Sequence, residues 1–160
     1  MSGLDIWVDR VLGNDANSGS TSATAIRTIN HAIAIVPDGG TINLQTGVYT
    51  ISGGFIFIPD KSFTIEAKGF AIIHGGSLSL FTAKYLFFAG SLTANRSIRF
   101  KNVNLANFFS IFIGNATTVT SSLIEMSLSF ENCVIYTDST GNFPGFDTSV
   151  IYCDPSFTGR

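Results

Sequence analysis

A repeat without gaps in the second half of the chain constrains the fold more than any other feature. The segment Ser97–Leu105 aligns with Ser127–Ile135, thirty residues further along. In both copies an apolar residue, a polar residue, Phe, a charged residue and Asn follow one another in the same order. A fixed period of this length is typical of stacked structural units, and it suits one turn of a coil made of three strands. The repeat therefore favours a solenoid.

The repeat also predicts which side chains meet. Asn102 and Asn132 are expected at equivalent buried turns, because Asn tolerates the left-handed backbone region and its amide can bond the Asn one unit away. Phe100 and Phe130 are expected to stack inside the solenoid. These four residues form the predicted structural ladder. The alternative is that the two asparagines occupy unrelated, exposed turns.

The N-terminal part of the chain changes its pattern twice. Ile6–Asp9 predicts a short strand that begins near Asp5, and Gly13–Ser22 consists almost wholly of turn residues. Residues 24–36 then predict a helix with Thr24 as its N-cap, ended by Pro37–Gly40. Its apolar residues recur at intervals of three and four: Ile26, Ile29, Ala32, Ile33 and Val36.

After Gly40 the chain reads as short strands separated by turn residues. Ile42 and Leu44 alternate with polar residues, as do Phe63, Ile65 and Ala67. Many short strands and a single helix predict an all-β protein. A sandwich, a barrel and a solenoid all satisfy that count, and the repeat selects the solenoid.

The first third of the chain resembles the opening of pectate-lyase-like parallel β-helix proteins. The matching segments run in order along residues 5 to about 50: Ile6–Asp9, Gly13–Ser20, Arg27–Ile29, His31–Ile33, Gly39–Leu44 and Gly47–Tyr49. The chain departs from the family at Ala25–Ile26, where the family often has Pro and an aromatic residue. The resemblance implies a short right-handed parallel β-helix with an N-terminal capping α-helix. It implies one domain, 1–160, with the strand, loop and capping helix in 1–39 and the coils and C-terminal segment in 40–160.

The resemblance to lyases and glycosidases on this fold does not extend to a catalytic site. Similar lyases use clustered carboxylates that hold calcium, and glycosidases need paired Asp or Glu residues, whereas the eleven acidic residues here are scattered. The repeat places Lys101 beside Glu131, which is a structural pair across strands. His31 and His74 have no activated nucleophile nearby in the sequence. We therefore expect no enzymatic activity and no catalytic residues.

Metal and cofactor sites are not expected either. Asp15–Gly19 alternates oxygen ligands but lacks the later bidentate Glu of a calcium loop, so a capping turn is the better interpretation. Cys133 and Cys153 are expected as reduced thiols that pack as small hydrophobes. A disulfide between them remains an alternative, without a secretory context to favour it.

The charge of the chain argues against two classes of partner. The net charge is -2, and no run of like charges occurs, which disfavours binding to nucleic acid or to an anionic membrane. No apolar run reaches the ~18 residues that span a bilayer. The N-terminus does not resemble a signal peptide, so we expect synthesis in a host cytoplasm.

Several strands carry too many apolar residues for a lone solenoid. Only 12% of the residues are charged, and Phe55–Ile58, Leu86–Phe88 and Ile111–Ile113 are apolar at consecutive positions. Such runs are typical of strands buried on both faces, so sister subunits are expected to cover the second face. The candidate interface residues are Phe55, Phe57, Phe87, Phe108 and Phe112.

These features favour a structural role. Phage tailspikes and capsid-attached proteins often use trimeric β-helices, and this resemblance implies a non-enzymatic virion protein of a tailed phage. It would be a capsid cement or decoration protein or a short tail component, a homotrimer that contacts the major capsid protein or tail proteins. The alternatives are a polysaccharide-binding or polysaccharide-cleaving β-helix protein and a bacterial surface or adhesion module.

Overall fold

The computed structural model describes residues 5–51, 56–75, 85–89, 94–106, 110–114 and 126–136. The described part of the chain is mainly β, with parallel strands and one α-helix. The helical elements are a 3-10 turn at Ser22–Thr24 and helix α1 at Ile29–Ile35. The ten strands, in chain order, are β1 Asp5–Val8, β2 Gly40–Leu44, β3 Gly47–Thr50, β4 Ile56–Ile58, β5 Phe63–His74, β6 Tyr85–Ala89, β7 Arg96–Ala106, β8 Ser110–Gly114, β9 Met126–Glu131 and β10 Ile135–Tyr136.

The strands form two parallel sheets. The larger sheet has the order β1-β2-β5-β7-β10, with β3 paired to β5 and β9 paired to β7. The smaller sheet has the order β4-β6-β8. From β3 to β9 the chain alternates between the two sheets, because β4, β6 and β8 each lie between strands of the larger sheet in sequence.

The core consists of rows of apolar residues that follow the register of the larger sheet. One such row joins five successive strands: Ile6, Ile42, Ile65, Phe100 and Phe130. A second row contains Tyr49, Ile73, Leu105 and Ile135. Alternating residues of a strand lie on opposite faces, so β2, β5 and β7 can bury one set of side chains together. In these rows Ile42, Ile65, Phe100, Ile73 and Leu105 are fully buried.

The predicted helix begins four residues too early. Residues 22–24 form the 3-10 turn, and Thr28 is the N-cap of α1, its side chain accepting a hydrogen bond from the His31 amide. Ile26 is extended and forms a parallel bridge with Val8. The Ile26 amide donates to the Trp7 carbonyl, and the Ile26 carbonyl accepts from the Asp9 amide. Ile26 is therefore buried as a short strand beside β1, although its spacing fits the helical pattern.

The buried face of α1 is the predicted one. Ile29, Ala32 and Ile33, together with Val36 at the C-cap, belong to the same core as the residues of β1 and β2. The C-terminal end of the helix is held by Lys61, whose ammonium donates to the carbonyl oxygens of Ala34 at 3.0 Å and Val36 at 2.6 Å. Burial lowers the pKa of Lys61, and the charge of Asp38 opposes that shift.

Candidate functional site

The four residues of the predicted structural ladder contact one another as the repeat predicts. The rings of Phe100 and Phe130 are stacked, with centroids 5.2 Å apart and planes inclined by 8°. The Asn132 side-chain nitrogen donates to the Asn102 side-chain oxygen at 3.3 Å. Both asparagines have left-handed backbones, with φ values of 57° and 52°. They are hydrogen-bonded neighbours in equivalent turns.

The asparagine turns differ from the prediction in one respect, because both side chains are exposed. Asn132 lies at the bend between β9 and β10, and Asn102 lies at a bend within β7. The left-handed residue makes the bend, and its amide lies at the surface. Lys101 and Glu131, the preceding residues, form an ion pair at 3.7 Å. Glu131 is exposed and Lys101 is half-buried, so the contribution of this surface pair to stability is small.

Three of the five candidate interface residues lie in the smaller sheet. Phe57, Phe87 and Phe112 lie on β4, β6 and β8, whereas Phe55 and Phe108 lie outside the described residues. The register gives two adjacent rows, Ile56–Phe87–Phe112 and Phe57–Phe88–Ile113. Adjacent rows belong to opposite faces of a sheet. Phe57 therefore belongs to a different face from Phe87 and Phe112, a distinction that the sequence alone did not make.

One polar residue of the larger sheet is buried without a partner. Asn43 is 1% exposed, and neither its side-chain oxygen nor its nitrogen makes a hydrogen bond. In register it lies between Trp7 of β1 and Glu66 of β5. The sequence predicted an ordinary outward polar position here, because Asn43 alternates with Ile42 and Leu44. An unpaired buried amide costs free energy, and no pattern in the sequence signals it.

A network of charged and polar groups joins the beginnings of β2, β5 and β7. Arg96 donates to Asp60 at 2.6 Å and to Asp38 at 3.2 Å. Asp38 also accepts from the Ser62 amide at 2.7 Å, and the Ser62 hydroxyl accepts from the Ser97 amide at 3.0 Å. These contacts fix the relative position of three turns. Their role is structural, since every acceptor is engaged by the chain itself.

The loop that resembles a calcium loop is held by its own carboxylate. One oxygen of Asp15 accepts from the amides of Arg27 and Thr28, and the other accepts from the Thr28 hydroxyl. Burial pushes the pKa of Asp15 upward, but the hydrogen bonds from Thr28 and Arg27 outweigh it and lower the pKa from 3.8. The carboxylate is therefore committed to the start of α1, as the interpretation of a capping turn requires.

A cavity of about 370 Å³ lies beside this loop. Its lining comes from the turn after β1, the segment that enters α1, and the end of β3. The polar residues of the lining are Arg10, Arg27, Thr28, Asn30 and Thr50. The sequence analysis missed this cavity, because its residues come from three separate segments and share no spacing.

Other chemistry-bearing residues have structural surroundings. The Cys133 thiol donates to the Glu131 carbonyl at 3.3 Å, and Cys153 lies outside the described residues. Within the residues that the structure describes, no three His, Cys, Asp or Glu side chains are grouped to hold a metal ion. Among the same residues, no helix has the length and apolar character that crossing a bilayer requires.

Comparison with protein-family models, with curated proteins and with solved structures found no match. Inferences about function therefore depend on the geometry of the chain and on the resemblance of its first third.

Proposed function

We propose that the chain is a short right-handed parallel β-helix that serves as a non-enzymatic structural subunit of a tailed-phage virion. Its place there would be that of a capsid cement or decoration protein or a short tail component. The chain would assemble with copies of itself, as a trimer, and with major capsid or tail proteins. The trimer and the virion come from the resemblance to phage β-helix proteins.

The order in which the chain visits the two sheets supports the solenoid. It passes from β3 to β4, then to β5, β6, β7, β8 and β9, and it changes sheet at each step. Each return adds a parallel strand next to the previous one of the same sheet. A chain that winds in one direction around a common core produces this order. Parallel crossover connections are right-handed in nearly all proteins, which supports the hand.

The observation that carries the proposed assembly is the composition of the smaller sheet. Ile56–Phe87–Phe112 and Phe57–Phe88–Ile113 are apolar rows on opposite faces. A solenoid has one interior, so only one of these rows can belong to it. Each large aromatic residue left in water costs roughly 2–3 kcal/mol relative to burial. We propose that the row of Phe87 and Phe112 forms the contact between subunits, because it holds two of the candidate interface residues. The row of Phe57 and Phe88 would then belong to the interior, which removes Phe57 from the interface candidates.

Two neighbouring substitutions test this assignment. Phe87→Ser is expected to convert the oligomer into a folded monomer, because it removes an aromatic contact from the interface. Phe88→Ser is the matched control, since the same change one residue later should lower the melting temperature by opening a cavity in the interior. Light scattering after size-exclusion chromatography gives the mass, and circular dichroism gives the melting temperature.

The wild-type mass decides the proposal first. A stable monomer of the unmodified chain at micromolar concentration would remove the argument for an interface and, with it, the main support for a virion subunit. If the chain is an oligomer, mass spectrometry of purified virions tests the location. Absence of its peptides from virions of a phage that encodes it would contradict the virion role while leaving the assembly intact.

A further inference from the structure

The cavity beside the N-terminal loop has a lining with cations and no carboxylate. Arg10 follows β1 in the chain, and Arg27 directly precedes the N-cap of α1. Both line the same space of about 370 Å³, which lies within the range of small-molecule sites. In the described part of the chain, neither arginine forms an ion pair. Their charges are therefore not neutralised by a side chain of the cavity.

Two carboxylates beside the arginines, Asp9 next to Arg10 and Asp15 at the Arg27 amide, are engaged by other groups. Asp9 accepts hydrogen bonds from the amides of Val11 and Leu12, at 2.8 and 2.9 Å. Asp15 accepts two backbone amides and a hydroxyl where the chain enters α1. Both carboxylates accept hydrogen bonds from backbone amides in or beside the turns in which the arginines lie. They hold those turns in place and do not line the cavity.

The arginines keep donors for a ligand. Arg10 donates one N–H to the Val48 carbonyl, and a guanidinium has five N–H donors in all. This hydrogen bond ties the Arg10 side chain to β3 and reduces the entropy that a ligand would have to remove. The Arg27 side chain makes no hydrogen bond to the other described residues. Its positive charge is therefore not used in a hydrogen bond within the described part of the chain.

The rest of the lining suits a small polar molecule. Asn30 and Thr50 supply side-chain groups that can donate or accept, whereas the Thr28 hydroxyl already donates to Asp15 and accepts from the His31 amide. The apolar part of the lining is Ile29, Tyr49 and Ile51, which are all buried. These three are fixed in the core, so the cavity has a preformed wall.

We propose that this cavity binds a small molecule through a carboxylate or phosphate group held by Arg10 and Arg27. The guanidinium fork matches the paired oxygens of both groups and binds them by charge-assisted hydrogen bonds. Asn30 and Thr50 would contact hydroxyl or carbonyl groups of the same molecule. The proposal concerns the N-terminal region alone and does not depend on the assembly of the smaller sheet.

Titration of the ¹⁵N-labelled full chain with inorganic phosphate, and separately with succinate, tests the site. The amide signals of Thr28, Asn30 and Thr50 are expected to shift and saturate, while those of Thr64 and Ser129 in the larger sheet stay in place. Sodium chloride at equal ionic strength is the reference. Saturation by phosphate alone, by succinate alone or by both identifies the group and supports the proposal.

Arginine variants separate a built site from a general charge effect. Arg27→Gln is expected to weaken binding about tenfold, the order expected for losing one charge-assisted hydrogen bond. Arg99→Gln is the matched control, because Arg99 is an exposed arginine of β7 outside the cavity, and it should leave the affinity within about twofold. Because the Arg27 side chain is exposed and makes no hydrogen bond or ion pair to the other described residues, the variant should fold as the wild type does.

Two results would overturn the proposal. One is the absence of saturable shifts at phosphate and succinate concentrations up to about 10 mM, beyond the millimolar range of weak sites. The other is an equal loss of binding in Arg27→Gln and Arg99→Gln, which would show attraction to overall charge.

Discussion

The N-terminal segment, residues 5–51, and the repeated strands β7 to β10 are ordered in different ways. In the N-terminal segment, side chains such as Asp9, Asp15 and Tyr49 each make hydrogen bonds to backbone groups of loops and strand ends, and these bonds do not recur at a fixed spacing. In the repeated strands, contacts recur between residues thirty positions apart, as in the pairs Phe100–Phe130 and Asn102–Asn132. The first arrangement specifies one loop and its cavity. The contacts between the repeated strands recur at a spacing of thirty residues, and further units with the same spacing could make the same contacts.

This difference predicts how substitutions behave. A change in the N-terminal segment removes a bond that no other residue replaces, so its effect should be local and additive with distant changes. A change in the repeated strands affects two neighbours in a row, so paired substitutions there should be coupled.

The strongest test concerns the buried face of α1. Ile33 is 1% exposed, and Ile33→Asp would bury a carboxylate without a partner. We expect the free energy of unfolding to fall by more than about 4 kcal/mol, a large part of the ~5–15 kcal/mol that keeps a typical domain folded. Ile35→Asp is the matched control on the same helix, because Ile35 is 40% exposed. Thermal unfolding followed by circular dichroism measures both, and equal melting temperatures would refute the placement of α1.

The next test concerns the row of stacked aromatic residues. Phe100 is fully buried, whereas Phe130 is partly exposed on the last described long strand. Phe100→Ala should therefore cost about 3–5 kcal/mol and Phe130→Ala clearly less. Because the rings stack, the double variant should cost less than the sum of the single variants. Urea unfolding gives the three values, and strict additivity would mean that the two rings do not support each other.

Tyr49 gives a test with a pH dependence. Its hydroxyl donates to the carbonyls of Gln45 at 2.8 Å and Val8 at 3.1 Å, and burial, with the charge of Asp9, raises its pKa from 10.0 to about 12. The unfolded chain loses this proton first. The contribution of the Tyr49 proton to stability is therefore fully present below pH 10. It is lost as the pH rises toward 12, which lowers the free energy of unfolding by about 2–3 kcal/mol.

The variant Tyr49→Phe isolates this contribution from those of other titrating groups. At neutral pH it should cost about 1–2 kcal/mol through the lost hydrogen bonds. Above pH 10 the gap between wild type and variant should close, because only the wild type carries the penalty of ionising Tyr49. Urea unfolding at several pH values measures the gap, and a gap that stays constant to pH 12 would contradict the raised pKa.

The smallest effect is expected at the asparagine turns. Asn102→Ala should cost about 1–2 kcal/mol, because alanine does not favour a positive φ and cannot bond Asn132. Asn102→Gly should cost less, since glycine accepts this backbone and only the hydrogen bond is lost. Chemical denaturation resolves the two variants. If glycine were as costly as alanine, the hydrogen bond and not the backbone would dominate.

The sequence predicts the repeated strands better than the N-terminal segment for a physical reason. Equivalent positions in stacked units meet the same surroundings, so Asn102 and Asn132 must satisfy the same backbone bend, and the shared requirement is visible in the sequence. Ile26 is misassigned because a buried residue in an extended segment can coincide with the helical period. The cavity is not predictable, because Arg10, Arg27 and Thr50 are brought together only by the tertiary fold.

The short distance along the chain between paired strands has a consequence for how the protein folds. Each strand of the described sheets pairs with one that lies between 23 residues away, as for Gly40 and Phe63, and 36 residues away, as for Asp5 and Thr41. The entropy of closing each connecting loop is therefore similar from step to step. Such a chain needs no contact between distant termini, and a finished strand can serve as the template for its successor. Folding should then spread outward from whichever pair forms first, at a rate that changes little as strands are added.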